Sequence, residues 1–167
     1  SNACVLNSCT TPNPTNATLT TGVPTTPNQL WQNSNSGNPC YFVCNANYTI
    51  NGSNCTDQTA PTGGNFTIPS TTSSTSITLT ITCPTDAAGS TPIQVAYGNT
   101  ASPTNWTTCT SSIAHTLTSG DGTKTVYVRF KDNLGNTTGD VSRNISLINA
   151  RLDHSRSEEH TSELQSQ

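Results

Sequence analysis

The chain has 167 residues and a formal net charge of −3, only 9% of it is charged, and 33 Thr, 20 Ser and 19 Asn dominate it. Six basic residues are too few for the electrostatic footprint of a nucleic-acid binder, and the apolar runs are too short for a transmembrane helix. Large aliphatic residues are scarce, yet the net charge is too low for the usual signature of disorder, so the composition points to an all-β chain of short strands.

In chain order, Ser1-Asn2-Ala3 reads either as the scar of a cleaved expression tag or as native sequence. Residues 1–8, with Cys4, then form the end of a preceding module. Residues 9–56 hold Cys9, Cys40, Cys44 and Cys55 among many turn formers, which predicts a small disulfide-held β module. Pro12, Pro14, Pro24 and Pro27 keep 11–28 extended, out of helices and central strands. Strand signals at 41–43 and 48–50 precede Asn51-Gly52, a hairpin signal. Residues 56–64 read as a linker without large apolar side chains, where Pro61 holds the chain extended and Gly63 and Gly64 permit a bend. The expected interface between modules is therefore small, with interdomain motion as the default.

Residues 57–149 carry most of the strongly apolar side chains, and they alternate with period two. Ile77, Leu79, Ile81 and Cys83 share one face, with threonines opposite, where their branched Cβ suits the pleat. Ile93, Val95 and Tyr97 alternate next, then Ile113, His115 and Leu117. Val126, Val128 and Phe130 follow the Gly120-Asp121-Gly122 turn, and Val141, Arg143, Ile145 and Leu147 close the set. With a strand near Phe66, this gives about six or seven short strands at a spacing that predicts a β-sandwich.

The seven cysteines favour disulfides over metal, because paired zinc knuckles are missing and His115 and His154 stand isolated. An oxidising, extracellular environment is the expected setting. Cys83 is expected to pair with Cys109 across neighbouring strand ends. In the first module, Cys44 and Cys55 flank the Asn51-Gly52 turn, which favours Cys44–Cys55 with Cys9–Cys40. The crossed set, Cys9–Cys44 with Cys40–Cys55, stays open, and Cys4 is either an orphan of a missing module or a free thiol. Eight Asn-x-Ser/Thr sequons are close to what the composition alone yields and carry no conclusion.

After Ala150 the composition turns abruptly charged. Residues 156–166, RSEEHTSELQS, resemble the in-frame translation of a short-read sequencing adapter. Residues 150–167 are accordingly read as a non-native tail, expected to pack on nothing.

Residues 57–148 resemble the Ig-like or fibronectin-III-like repeats of bacterial surface proteins. The carrying residues are TAPT at 59–62, AAG at 87–89 and, above all, GDGTKTVYVRFKDNLGN at 120–136, a strand followed by a D-x-x-G-N turn. Cys83 and Cys109 depart from that pattern. Residues 40–55, CYFVCNANYTINGSNC, resemble the C-terminal half of an EGF-like or sushi-like module. Both resemblances imply modular extracellular spacers and binders without catalysis or cofactor. Expected partners are neighbouring modules of the same chain and a host or matrix glycan or protein, with the chain itself a monomer.

Candidate chemistry is sparse. No nucleophile elbow or paired carboxylate motif occurs, and His115 alternates with core residues, so no catalytic residue is assigned. Asp57, at the module junction, and Asp86, Asp121, Asp132 and Asp140, in predicted loops, are oxygen donors of the kind calcium takes. Without a D-x-D-x-D-G run they are read as turn residues capping their own backbone, and no metal is assigned. Trp31, Tyr41 and Tyr48 are the planar side chains on which a sugar could stack, with Trp31 the better exposed candidate, although a small module with little else to bury favours Trp31 as its core. Trp106, three residues before Cys109, is expected to pack on a disulfide. The expected function is a structural or adhesive segment, a stalk or spacer, of a secreted repetitive bacterial surface protein. The alternative is a carbohydrate-binding accessory region of a secreted hydrolase.

Overall fold

A computed structural model describes residues 9, 13–21, 30, 31 and 40–148. Cys4 and the tail 150–167 lie outside the described residues, as does most of the Pro-rich stretch. Among the described residues the secondary structure is β throughout, and no helix is long and apolar enough to cross a membrane.

The first segment is built on β1 (Ala17–Thr21) and β2 (Cys40–Cys44), an antiparallel pair with Leu19 opposite Phe42. A second pair, β3 (Thr49–Asn51) and β4 (Asn54–Thr56), forms the expected hairpin. Its tight turn is Gly52-Ser53, one residue later than expected, because Asn51 pairs with Asn54. Gly52 sits at φ +61°, a left-handed conformation that glycine adopts without a Cβ penalty. Thr15 and Asn16 tie the two pairs together through bonds to Asn54 and Cys55. Disulfides join Cys9 to Cys40 and Cys44 to Cys55, the uncrossed pairing. With so few large side chains, the core here is Trp31, Cys40, Phe42 and Cys55, with Leu19 and Tyr48 packed against it.

Residues 62–148 form two sheets over one shared core. The three-stranded sheet has the order β10-β7-β5, from β5 (Asn65–Thr67), β7 (Ser76–Thr82) and β10 (Ser112–Thr116). The five-stranded sheet has the order β6-β12-β11-β8-β9. Its members are β6 (Thr71–Thr72), β8 (Gln94–Gly98), β9 (Thr107–Thr108), β11 (Gly122–Lys131) and β12 (Val141–Leu147). All pairings are antiparallel except that of β12 with β6. Alternation along the strands places Phe66, Ile77, Leu79, Ile81 and Ile113 of one sheet against Val95, Val126, Val128, Phe130 and Ile145 of the other. Arg143, expected with the inward set, is instead exposed; its guanidinium lies over the Phe66 ring and bonds Asn65 Oδ1 at 2.8 Å.

Two expectations change here. Cys83 does not continue the inward face of β7: the strand ends at Thr82, and Cys83 is exposed. Its disulfide to Cys109, which follows β9, staples the two sheets at their rim. Trp106 carries the Lys131 ammonium 4.6 Å above its ring. The linker is not a loose strap. Asp57 and Pro61 are buried, and Thr62 bridges to Thr85 through bonds of 2.8 and 3.0 Å.

Candidate functional site

The structure separates the planar side chains. Trp31 is only 8% exposed and packs in the small core with Phe42, the core role favoured for it, so it offers no stacking face. A module this poor in large side chains must use its one tryptophan as core. Tyr48 is half-buried, and its hydroxyl donates to the Ala88 carbonyl at 2.8 Å. Tyr41 is half-buried on the face of β2 opposite Cys40 and Phe42.

His115 is buried in β10, beside Ile113 on the inward face. Asn99 Nδ2 donates to the Thr116 carbonyl at 2.9 Å, which turns Asn99 Oδ1 toward His115 Nε2, 3.0 Å away. His115 Nε2 therefore carries the proton, and the Tyr97 ring meets the imidazole edge-on at 5.8 Å. Burial holds the imidazole pKa below its ordinary 6.5. The unfolded chain takes up this proton first as pH falls, so the neutral folded form contributes fully above about 6.5 and loses that contribution toward the lower folded pKa. The expected result is a denaturation midpoint that drops from pH 7.5 to 5.5, and His115→Gln flattens that drop. An equal drop in the variant would assign it to other groups.

The acidic residues behave in two ways at once. Each of three turns is capped by its own aspartate, as expected. Asp57 Oδ1 accepts from the Thr59 backbone and hydroxyl, at 2.9 and 2.7 Å. Asp86 Oδ1 accepts from the Ala88 and Ser90 amides, at 2.8 and 3.3 Å. Asp132 Oδ1 accepts from the Leu134 and Asn136 amides, at 2.9 and 2.8 Å, in the D-x-x-G-N turn where Gly135 sits at φ +98°. These same three carboxyls also meet. One oxygen from each lies within 4.8 Å of the other two. Asp132 is fully buried and Asp57 nearly so.

The other carboxylate oxygens explain how the group is held. Asp57 Oδ2 accepts from Ser90 Oγ at 2.6 Å. Asn136 Nδ2 donates to Asp132 Oδ2 at 2.7 Å and to the Asp57 carbonyl at 3.2 Å, tying the linker to the turn after β11. Burial opposes the Asp57 charge, but hydrogen bonds from Ser90 and Thr59 outweigh it, holding Asp57 below its ordinary value. Asp86 Oδ2 is buried and accepts no hydrogen bond among the described residues. The ion pair found among the described residues, Arg129 with Asp140, lies elsewhere, and Asp140 also caps Ser102. Oxygen donors at this mutual spacing suit a hard cation, since ligands 2.3–2.6 Å from one calcium ion lie at most about 5 Å apart.

The cluster sits where the two segments touch. Asn47 Nδ2 donates to the Ala87 carbonyl at 3.1 Å, next to the Tyr48 bond to Ala88. The carbonyls that receive the first segment thus belong to the turn that Asp86 caps. Sequence reading saw the aspartates one at a time. Their meeting follows from the docking of the linker, which no local pattern announces. Compared with known proteins, the chain matches no family model, no curated protein and no solved structure.

Proposed function

We propose that this chain is a stalk or spacer segment of a secreted, repetitive bacterial surface protein, in which an Ig-like or fibronectin-III-like sandwich follows a small cysteine module. The observation that carries this reading is the bonded junction: a linker anchored through buried Asp57 and Pro61, with Asn47 and Tyr48 of one segment held by the 87–88 carbonyls of the other. A spacer transmits position only if its modules keep a fixed angle, and polar contacts at a junction restrict the motion otherwise expected. The strand course supports the sandwich, since the chain passes from one sheet to the other and back between β7 and β11 as Greek-key sandwiches do. Three disulfides mark an oxidising environment, and cell-surface residence is the proposed location within it.

The accessory sugar-binding reading keeps only Tyr41 and Tyr48 as half-buried candidates. Small-angle scattering and a glycan array separate the two. A stalk segment gives one elongated particle, no retained glycan, and a broader distribution of angles between the two segments in Tyr48→Phe, which loses the bond to Ala88. Saturable glycan binding abolished by Tyr41→Ala would replace this reading with the accessory one.

A further inference from the structure

We propose that Asp57, Asp86 and Asp132 form a calcium site that locks the junction between the two segments. Three observations converge on it. Their carboxylate oxygens come within 4.8 Å of one another from the linker, the turn after β7 and the turn after β11. Among the described residues none of the three has a cationic partner, although Asp57 and Asp132 are removed from solvent. Asp86 Oδ2 is itself buried and accepts no hydrogen bond among the described residues, which leaves the lone pairs of that oxygen without a donor. Anions gathered this way are costly unless a positive charge joins them. The Asp57 and Asp132 carboxylates are already oriented by Thr59, Ser90, Leu134 and Asn136, in the way an outer shell aims metal ligands.

The donor set selects the ion. It is all oxygen, and the six described cysteines are committed to disulfides, so the soft-ligand metals have nothing to bind. A largely buried cage of protein oxygens suits calcium, whereas magnesium keeps several of its waters. The consequence reaches past the ion. Calcium would fix Asp57 to the turn whose Ala87 and Ala88 carbonyls grip Asn47 and Tyr48, so binding would stiffen the angle between the segments. This inference does not depend on the stalk reading, because all three carboxylates belong to this chain whatever the parent protein does.

The test uses the full chain, stripped with EDTA and titrated with calcium chloride. Calorimetry is expected to give one site with a dissociation constant around 10⁻⁴–10⁻³ M, the range of extracellular modules. The melting temperature should rise on the order of 5 °C at 10 mM calcium. Asp86→Asn keeps an Oδ1 acceptor for the Ala88 and Ser90 amides; it should lose at least tenfold in affinity while melting in EDTA no lower than the unaltered chain. Amide shifts in the unaltered chain give a readout independent of any variant, and they should concentrate at 57–59, 86–90 and 132–136. No heat and no melting shift would overturn the proposal. So would shifts centred elsewhere, an undiminished response in Asp86→Asn, or an equal response to magnesium chloride.

Discussion

Full reduction of the disulfides is expected to unfold residues 9–56 while residues 57–148 still melt cooperatively. The Cys9–Cys40 and Cys44–Cys55 bonds span 31 and 11 residues. In the chain-entropy account they contribute about 4 and about 3 kcal/mol by restricting the unfolded chain. The apolar core they support has two large side chains, Trp31 and Phe42, too little to fold a segment of this size unaided. The second segment loses one bond, Cys83–Cys109, spanning 26 residues and worth about 3.5 kcal/mol, but keeps a core contributed by both sheets. Cys83 is exposed at the rim, so this bond is open to attack by reductant. Tryptophan emission follows the first event, since Trp31 moves from burial to water, and amide exchange follows the second. A Trp31 that stays shielded after complete reduction would mean that the two segments share one core. A segment 57–149 that is disordered alone would mean the same.

The second large effect is expected at Gly64. A Cβ on this residue would lie 2.5 Å from two ring carbons of Phe130, far inside contact distance. The ring cannot withdraw. Phe130 is fully buried, and its backbone is held by Thr138 through both the amide, to Thr138 Oγ1, and the carbonyl, from the Thr138 amide. Gly64→Ala is therefore an overpacking substitution costing about 2–3 kcal/mol, with a fall of roughly 10 °C in melting temperature. Gly139→Ala is the control, because a Cβ there meets nothing within 4 Å, and it should stay within about 0.5 kcal/mol of the unaltered chain. Equal melting temperatures for the two variants would remove the Gly64–Phe130 contact from the account. The bend expected of Gly63-Gly64 thus divides into two roles. Gly63 supplies a left-handed φ of +82°, while Gly64 gives the Phe130 ring its room.

What could be read without coordinates was what repeats locally. The two-residue period of the pleat sends alternate side chains to one face, so Ile77, Leu79 and Ile81, and likewise Val126, Val128 and Phe130, declare an inner face by spacing alone. The hairpin at Gly52 and the self-capping of Asp57, Asp86 and Asp132 are equally local, because each bond reaches only two to four residues along the chain. The disulfide between Cys44 and Cys55 belongs to the same class, since the hairpin brings its ends together.

The tertiary structure decided everything that depends on where one strand lies against another. The inward period of β7 breaks at Cys83 because the pairing with β5 and β10 ends there, and a hydrophobic face needs a partner sheet to continue. That Trp31 is core followed from how little else the first segment has to bury, but which residues enclose it, Cys40, Phe42 and Cys55, depends on strands and disulfides that close from distant positions. The linker looked unanchored because it has no large apolar residue. It is anchored instead by hydrogen bonds from Ser90, Asn136 and Thr85, which come from two remote loops. The same docking turns three separate turn caps into one buried acidic cluster. Each aspartate satisfies a local rule of its own turn, so nothing in the sequence distinguishes it from a plain cap. Only the packing of the two sheets brings the 86 and 132 turns beside the linker, and the charge problem that defines the site exists only once they meet.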